Sequence, residues 1–272
     1  MTNHYIDFLF RHPPAILWQI FLLTLARIIP VFALIPFLGS KLLAAPIKIG
    51  LSIALLLLCL PQILNEITHL PINDWHFYLL LVKEVFIGFF IGFIGAFPFY
   101  AIQSAGAFVS NQKGIQGMEG STSPLSLEQT SPTGVLYHNV ATIAFWFFGG
   151  PAILLRTLLI SFHTWPLQQF LPAGFILSEA PLWKIIIKLA QLCLVLMIQL
   201  GAPSTIAMLL SDMFLGIINR MAPQVQVIYL LSALKAFMGT LFLCLAWWLI
   251  VKHIDSTMLS WMHQLEILVK KW

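Results

Sequence analysis

Charge is what this chain has least of. Lys, Arg, Asp and Glu make up 9% of its 272 residues and hydrophobic residues 60%, where an ordinary soluble domain is roughly a quarter charged. No soluble core hides that much apolar surface, so the composition excludes a water-soluble globule and points to a membrane protein. Cysteine is also sparse. Cys59, Cys193 and Cys244 stand singly in apolar stretches with no CxxC spacing, which leaves no basis for a disulfide framework or a zinc site. Basic runs are missing too: the 14 Lys and Arg behind a net charge of +4 are spread thinly along the chain, so there is no patch of the kind that binds nucleic acid. The eight histidines include no HExxH or other ligand pair at helical spacing. No G-x-S-x-G elbow or phosphate-cradling glycine loop is present. No catalytic, cofactor or metal residues are therefore expected.

What the chain does have is long apolar tracts. A membrane-crossing helix needs about 20 mostly apolar residues, and six stretches qualify, at residues 15–38, 47–64, 77–109, 135–162, 182–218 and 227–251. The first is too long for a signal-peptide core of roughly 7 to 15 residues and is expected to stay in the mature chain. The third and fifth exceed one crossing, so they must tilt, kink or leave the hydrocarbon. "GGP" at 149–151 and "GAPS" at 201–204 read as turns or kinks within such tracts. The expected fold is all-α: a polytopic membrane protein of about six long, bent apolar helices arranged as hairpins, in a single domain over residues 1–272. Residues 252–272 place Ile254, Met258, Trp261, Leu265 and Leu268 on one face, which predicts an amphipathic tail lying on the bilayer or a partner. The one extended irregular segment is 110–133, where Gly114, Gly117, Gly120, Pro124 and Pro132 interrupt any helix. By its residues alone it reads as a solvated linker. Loop charges do not decide the orientation: Arg11, Lys252, Lys270 and Lys271 fall on one side, and Lys41, Lys48, Lys113 and Arg220 on the other.

The few charges inside apolar tracts are Arg27, Lys83, Glu84, Arg156, Asp212, Arg220 and Lys235. Each costs roughly 2.5 to 3.5 kcal/mol at a bilayer centre and has to find a partner. They can form a proton or ion relay, pair for structure, or mark surfaces buried against other chains. Gly88 and Gly92, extended by Ala96, Ala101 and Ala105, give the third tract a smooth side that admits another backbone, with Glu84 one turn before it. Asp212, Gly216 and Arg220 are spaced i, i+4, i+8 and share a helical face. That helix should end near Met221-Ala222, because the residue before Pro223 disfavours helical backbone. Gln224 can then serve carbonyls left open by the break.

The stretch "DMFLGIINRMAPQVQV" at 212–227, followed by Leu234-Lys235, resembles the signature of the family that comprises FliR of the flagellar export apparatus and the SpaR/YscT/SctT export proteins of injectisomes. Further similar pieces occur in the same order: "APIKIGLSIAL" after Pro30 and Pro36, "KEVFIGFFIGF", "AGAFVSNQKG", and Ala202-Pro203. Gln226 stands where the family carries Asn, and Lys48 where Arg is common. The loop pieces "KGIQG" and "GSTSPLS" look more like the injectisome branch.

The resemblance implies a non-enzymatic subunit of the type III secretion export gate. Such a subunit sits in the bacterial inner membrane within the secretion-system basal body. It packs with small subunits of the P/R and Q/S types and with the autocleaving switch subunit, against membrane lipid, around a channel for unfolded protein substrates. It also implies that the 110–133 loop faces the lumen as a plug, through Lys113, Gly114, Gly117, Met118, Glu119 and Gly120. Subunit contacts would then involve Glu84, Gly88, Gly92, Asp212, Gly216, Arg220, Pro223, Gln224 and Lys235. The alternative is a stand-alone secondary transporter or ion channel with Glu84, Asp212 and Arg220 as a midplane site.

Overall fold

A computed structural model describes residues 14–36, 45–64, 74–113, 131–170, 181–221 and 227–271. Among them the regular secondary structure is all α-helical, in eight helices: α1 Pro14–Leu34, α2 Ala45–Leu64, α3 Asp74–Gln112, α4 Pro132–Phe147, α5 Gly150–Thr164, α6 Pro181–Met221, α7 Val227–Leu245 and α8 Trp247–Lys271. α1, α3 and α6 hold apolar windows of 18, 38 and 35 residues, each enough to cross a bilayer, and the spans number up to five if the broken pairs α4–α5 and α7–α8 each count as one. At 1.5 Å per residue the window in α3 is about 57 Å long against a hydrocarbon core of about 30 Å. This is a polytopic helical membrane protein with more helix than straight crossings use. The expected second span corresponds to a shorter apolar run, Pro46–Leu57.

Two expected spans are interrupted. The tract 135–162 breaks at Phe148-Gly149, where Gly149 takes a left-handed φ of 73° and Pro151 sits in the first turn of α5. Glycine tolerates that backbone where a side chain would strain it, and proline suits the start of the next helix. The tract 227–251 breaks at Ala246 and bends by 62°, although Ala246 N still donates to Phe242 O and Ile250 N to Ala246 O. No glycine or proline marks that joint, so α8 begins at Trp247 and not at residue 252.

The chain divides into two compact units. One comprises Met1–Phe97, Gly149–Trp183 and Trp261–Trp272, and the other Pro98–Phe148 and Lys184–Ser260. In the first, Leu23, Ile28, Val31, Ile87, Ile91, Leu154, Leu158 and Phe162 from α1, α3 and α5 form a common core. Glycine sets how closely α1 and α3 approach: a Cβ on Gly88 would lie 2.2 Å from the Arg27 carbonyl oxygen, and one on Gly92 2.9 Å from Val31 Cα. Pro98, inside α3, removes the amide that would serve the Ile94 carbonyl four residues back. The Trp261 indole N–H donates to that carbonyl at 3.1 Å, with its ring 6.2 Å from that of Phe97.

In the second unit Phe99, Ile102, Ala105, Val109, Tyr137, Ala141, Leu200, Ala207 and Met208 are buried, and Phe99 meets Phe145 edge-on at 5.2 Å. Ile254, Met258 and Trp261, expected on a face toward lipid or a partner, are buried within the chain. The polar gaps between them belong to a helix packed on its own protein. The tail's Leu265 and Leu268 side chains lie outside the described residues.

Because backbone atoms block the space, Gly88→Ala is expected to destabilise the detergent-solubilised chain by at least the 1–3 kcal/mol typical of overpacking. Gly50→Ala, where the added Cβ meets nothing within 4 Å, should be neutral or slightly stabilising. Thermal unfolding of the two variants side by side checks the contrast.

Candidate functional site

Among the described residues the most concentrated chemistry is a buried ionic cluster. Arg27 on α1 and Glu84 on α3 are 0% exposed and Lys83 is 6% exposed. The Arg27 Nε donates to Glu84 Oε2. One terminal nitrogen of the guanidinium donates to the Ser161 carbonyl at 2.8 Å and its Oγ at 3.3 Å, and the other donates to the Trp165 carbonyl at 2.8 Å. The Phe162 ring lies 4.2 Å from the guanidinium carbon. Lys83 Nζ makes an ion pair with Glu84 Oε1 at 2.6 Å and donates to the carbonyls of Pro166, Leu167 and Gln169 at 3.0, 3.4 and 3.0 Å.

Two cations against one carboxylate would leave a net positive charge in an apolar core. The carbonyls that absorb it come from the end of α5 and the turn after it. The C-terminal end of a helix is the negative end of its dipole, and Arg27 and Lys83 together bring two cations to the end of α5 and the turn after it, where the Ser161 carbonyl also accepts from the Trp165 amide. Gly88 makes this possible, because it lies one turn beyond Glu84 and lets α3 come against the backbone of Arg27 itself.

Elsewhere, Lys235 Nζ on α7 pairs with Asp212 Oδ2 on α6 at 2.7 Å, both half-buried. Gly216 has nothing within 4 Å of where a Cβ would be, and Arg220 is exposed with no ion pair among the described residues. The face shared by Asp212, Gly216 and Arg220 is thus open beyond its first charge, with Met213 and Ile217 exposed around it. α6 ends at Met221, where the approaching proline led one to expect. Pro223 and Gln224 lie outside the described residues, as do Gly114, Gly117, Met118, Glu119 and Gly120 of the expected plug.

Lys113 is described and is buried. α3 runs on to Gln112 and α4 starts at Pro132, so the irregular segment is shorter at both ends than 110–133. Burial holds the Lys113 ammonium below its ordinary pKa. Glu84, Gly88 and Gly92, which the resemblance assigned to subunit contacts, are occupied inside the chain. Their neighbour Arg27 was legible as an intramembrane charge, but its carbonyl partners around residues 161–169 carried no sequence signal.

Comparison with known proteins adds the relationship. The family described as bacterial export proteins, family 1, matches residues 18–261. The chain belongs to this family. Among its relatives are the Yop proteins translocation protein T of Yersinia pestis, 31% identical across 91% of this chain and 93% of the relative, and the secretion system apparatus protein SsaT of Salmonella typhimurium, 32% identical across 78% and 81%. The flagellar biosynthetic protein FliR of Bacillus subtilis is 26% identical across 93% and 96%. The resemblance read from the residues is confirmed, as is its lean toward the injectisome branch.

For this member of the bacterial export proteins, the cluster works as a tie between α1, α3 and the end of α5. A carboxylate engaged by two cations, with no exposed surface, has no room to bind anything else. Truncating one partner strands the other charges, which costs about 3–5 kcal/mol for a buried pair, whereas an apolar pair of similar volume can be nearly neutral. Glu84→Ala and Arg27→Ala are each expected to abolish accumulation of the chain in membranes. Arg27→Met combined with Lys83→Met and Glu84→Leu, which removes the whole triad, should recover more of it than either single change, as read by immunoblot of the membrane fraction.

Proposed function

We propose that this chain is a non-enzymatic structural subunit of a type III secretion export gate of the injectisome branch. In this reading it sits in the bacterial inner membrane within the basal body. There it packs with small membrane subunits of the P/R and Q/S types and adjoins the autocleaving switch subunit. Together they line a channel for unfolded protein substrates, and the segment around Gly114–Gly120 plugs it at rest. The observation that carries the proposal is the relationship to a Yop translocation protein over 91% of the chain.

The disposition of charges supports it. A stand-alone transporter needs Glu84, Asp212 and Arg220 to be available together as a midplane site. Glu84 is consumed by Arg27 and Lys83, Asp212 is paired with Lys235, and Arg220 is exposed without either. The exposed apolar surface of α6, including Leu194, Ile198, Leu209 and Met213, each at least 60% exposed, suits lipid and neighbouring helices. The bare patch at Gly216 beside Arg220 suits the close approach of a partner helix that carries an acid.

Co-expression with the small subunits is expected to yield a co-purifying complex of unequal copy numbers. A chain that is equally stable alone, as a monomer or homo-oligomer that captures none of them, would overturn the gate assignment. Deleting Gly114 to Ser121 should leave that complex intact while raising its resting ion conductance in planar bilayers at least tenfold. Unchanged conductance in a deletion that assembles rules out the plug.

A further inference from the structure

In the second unit the end of α3 and the start of α4, the described residues on either side of 114–130, are bound to each other. On α3, a Cβ at Gly106 would lie 2.6 Å from the Thr133 carbonyl oxygen and 2.7 Å from Gly134 Cα. On α4, a Cβ at Gly134 would lie 3.0 Å from the Gln103 carbonyl oxygen. The two helices therefore meet backbone to backbone, glycine against glycine. One turn beyond Gly106, the Ser110 hydroxyl donates to Thr133 Oγ1 at 2.9 Å. Ser131 caps α4 by accepting from the Gly134 amide at 3.0 Å, and Pro132 in the first turn fixes the backbone there.

A third helix joins on the other side. The buried stem of Lys113 packs at Gly239 of α7, where an added Cβ would come 3.2 Å from Lys113 Cγ and Cε and 2.9 Å from Met208 Sδ. The Gly106–Gly134 approach, the Ser110–Thr133 bond and the Lys113–Gly239 packing go beyond what ending one helix and beginning another requires.

We propose that Gly106, Ser110 and Lys113 on α3, Ser131, Thr133 and Gly134 at the start of α4, and Gly239 on α7 form a permanently closed collar. This deepens the export-gate reading and rests on it: passage of a substrate proceeds without α3 and α4 parting at their joined ends. Lys113, grouped by its sequence with the plug, belongs to the fixed part. The reasons are physical. Glycine-to-glycine contact leaves no side chain that could swing aside to make the contact adjustable. The Ser110–Thr133 hydroxyl pair satisfies groups that separation would strand, and the Ser131 cap keeps the α4 end that carries Thr133 and Gly134 in place.

Cysteines at the two hydroxyl positions test the collar, since groups 2.9 Å apart put their Cβ atoms near the roughly 3.5–4.5 Å that a disulfide spans. In the assembled complex, Ser110→Cys with Thr133→Cys should cross-link on oxidation and still export substrate within about twofold of the reduced sample. Failure to cross-link in the resting complex overturns the proposal. So does a tenfold fall in export on oxidation that reduction reverses.

Should the double variant fail to accumulate, hydrogen exchange on the wild-type complex decides the matter. The Gly134 and Lys113 amides should keep their protection within about twofold between resting and substrate-engaged states. A loss of tenfold or more means that the ends part. If the deletion of Gly114 to Ser121 does not leak, the plug reading falls while these exchange rates still show whether the collar holds.

Discussion

An arginine with no exposed surface has to be neutralised and to find an acceptor for its donors, and Arg27 reaches that state only because α1 and α3 come together over Gly88. The close approach puts Glu84 beside the guanidinium, and Glu84 in turn recruits Lys83. Together the two cations need more acceptors than one carboxylate provides. The end of α5 supplies them, and in being capped it becomes fixed against α1 and α3. A glycine, an acid, two bases and a helix terminus thus form one interdependent arrangement in which each member is costly to bury without the others. The apolar core around it, from Leu23 to Phe162, excludes the water that would otherwise compete for these groups.

The same demand, that no backbone polar group face hydrocarbon unpaired, governs the helix interruptions. Pro98 frees the Ile94 carbonyl, and the Trp261 indole takes it. Pro132 begins α4 where its missing amide costs nothing, and the neighbouring Ser131 hydroxyl accepts the Gly134 amide. Gly149 reverses the backbone at the only positive φ among the described residues. Pro98 and Pro132 are thus placed where a specific side chain or cap repairs the ladder, so the chain bends there without exposing its backbone to lipid.

Sequence alone made the class and much of the layout legible, because apolar tract length and the cost of intramembrane charge are strong one-dimensional signals. Arg27, Glu84 and Asp212 stood out by rarity, Gly88 and Gly92 by spacing, and the end of α6 by Pro223. Spacing could not reveal who pairs with whom. Asp212 shares a helical face with Arg220 yet pairs with Lys235 on the next helix, since α7 offers an ammonium at 2.7 Å and Arg220 lies more than two turns away along α6. The break at Ala246 was invisible because an alanine bend with intact hydrogen bonds leaves no mark in composition. The periodicity of Ile254, Met258 and Trp261 was read correctly as one face, but a period does not say whether the surface beneath it is lipid, a partner or the protein's own core.

Burial divides the ionic groups into two kinds, and that division bears on how the molecule is used. The Arg27 cluster is closed: its charges are compensated within the chain and its neighbours are apolar, so it contributes to folding wherever the protein resides. The Asp212 pair is half-open, and the face that continues from it toward Arg220 combines an exposed cation in the last turn of α6 with no ion pair among the described residues, a bare stretch of backbone and large exposed apolar side chains. Lipid alone accommodates the apolar side chains but gives Gly216 no reason to be glycine, since an alanine there would meet nothing in this chain and would favour the helix. Under the proposed gate reading, a second helix seated against that glycine accounts for it, and an acid on that helix meets Arg220 in dry surroundings. The closed cluster thus holds the fold together, while the open face is the part of the molecule that the proposed assembly would use.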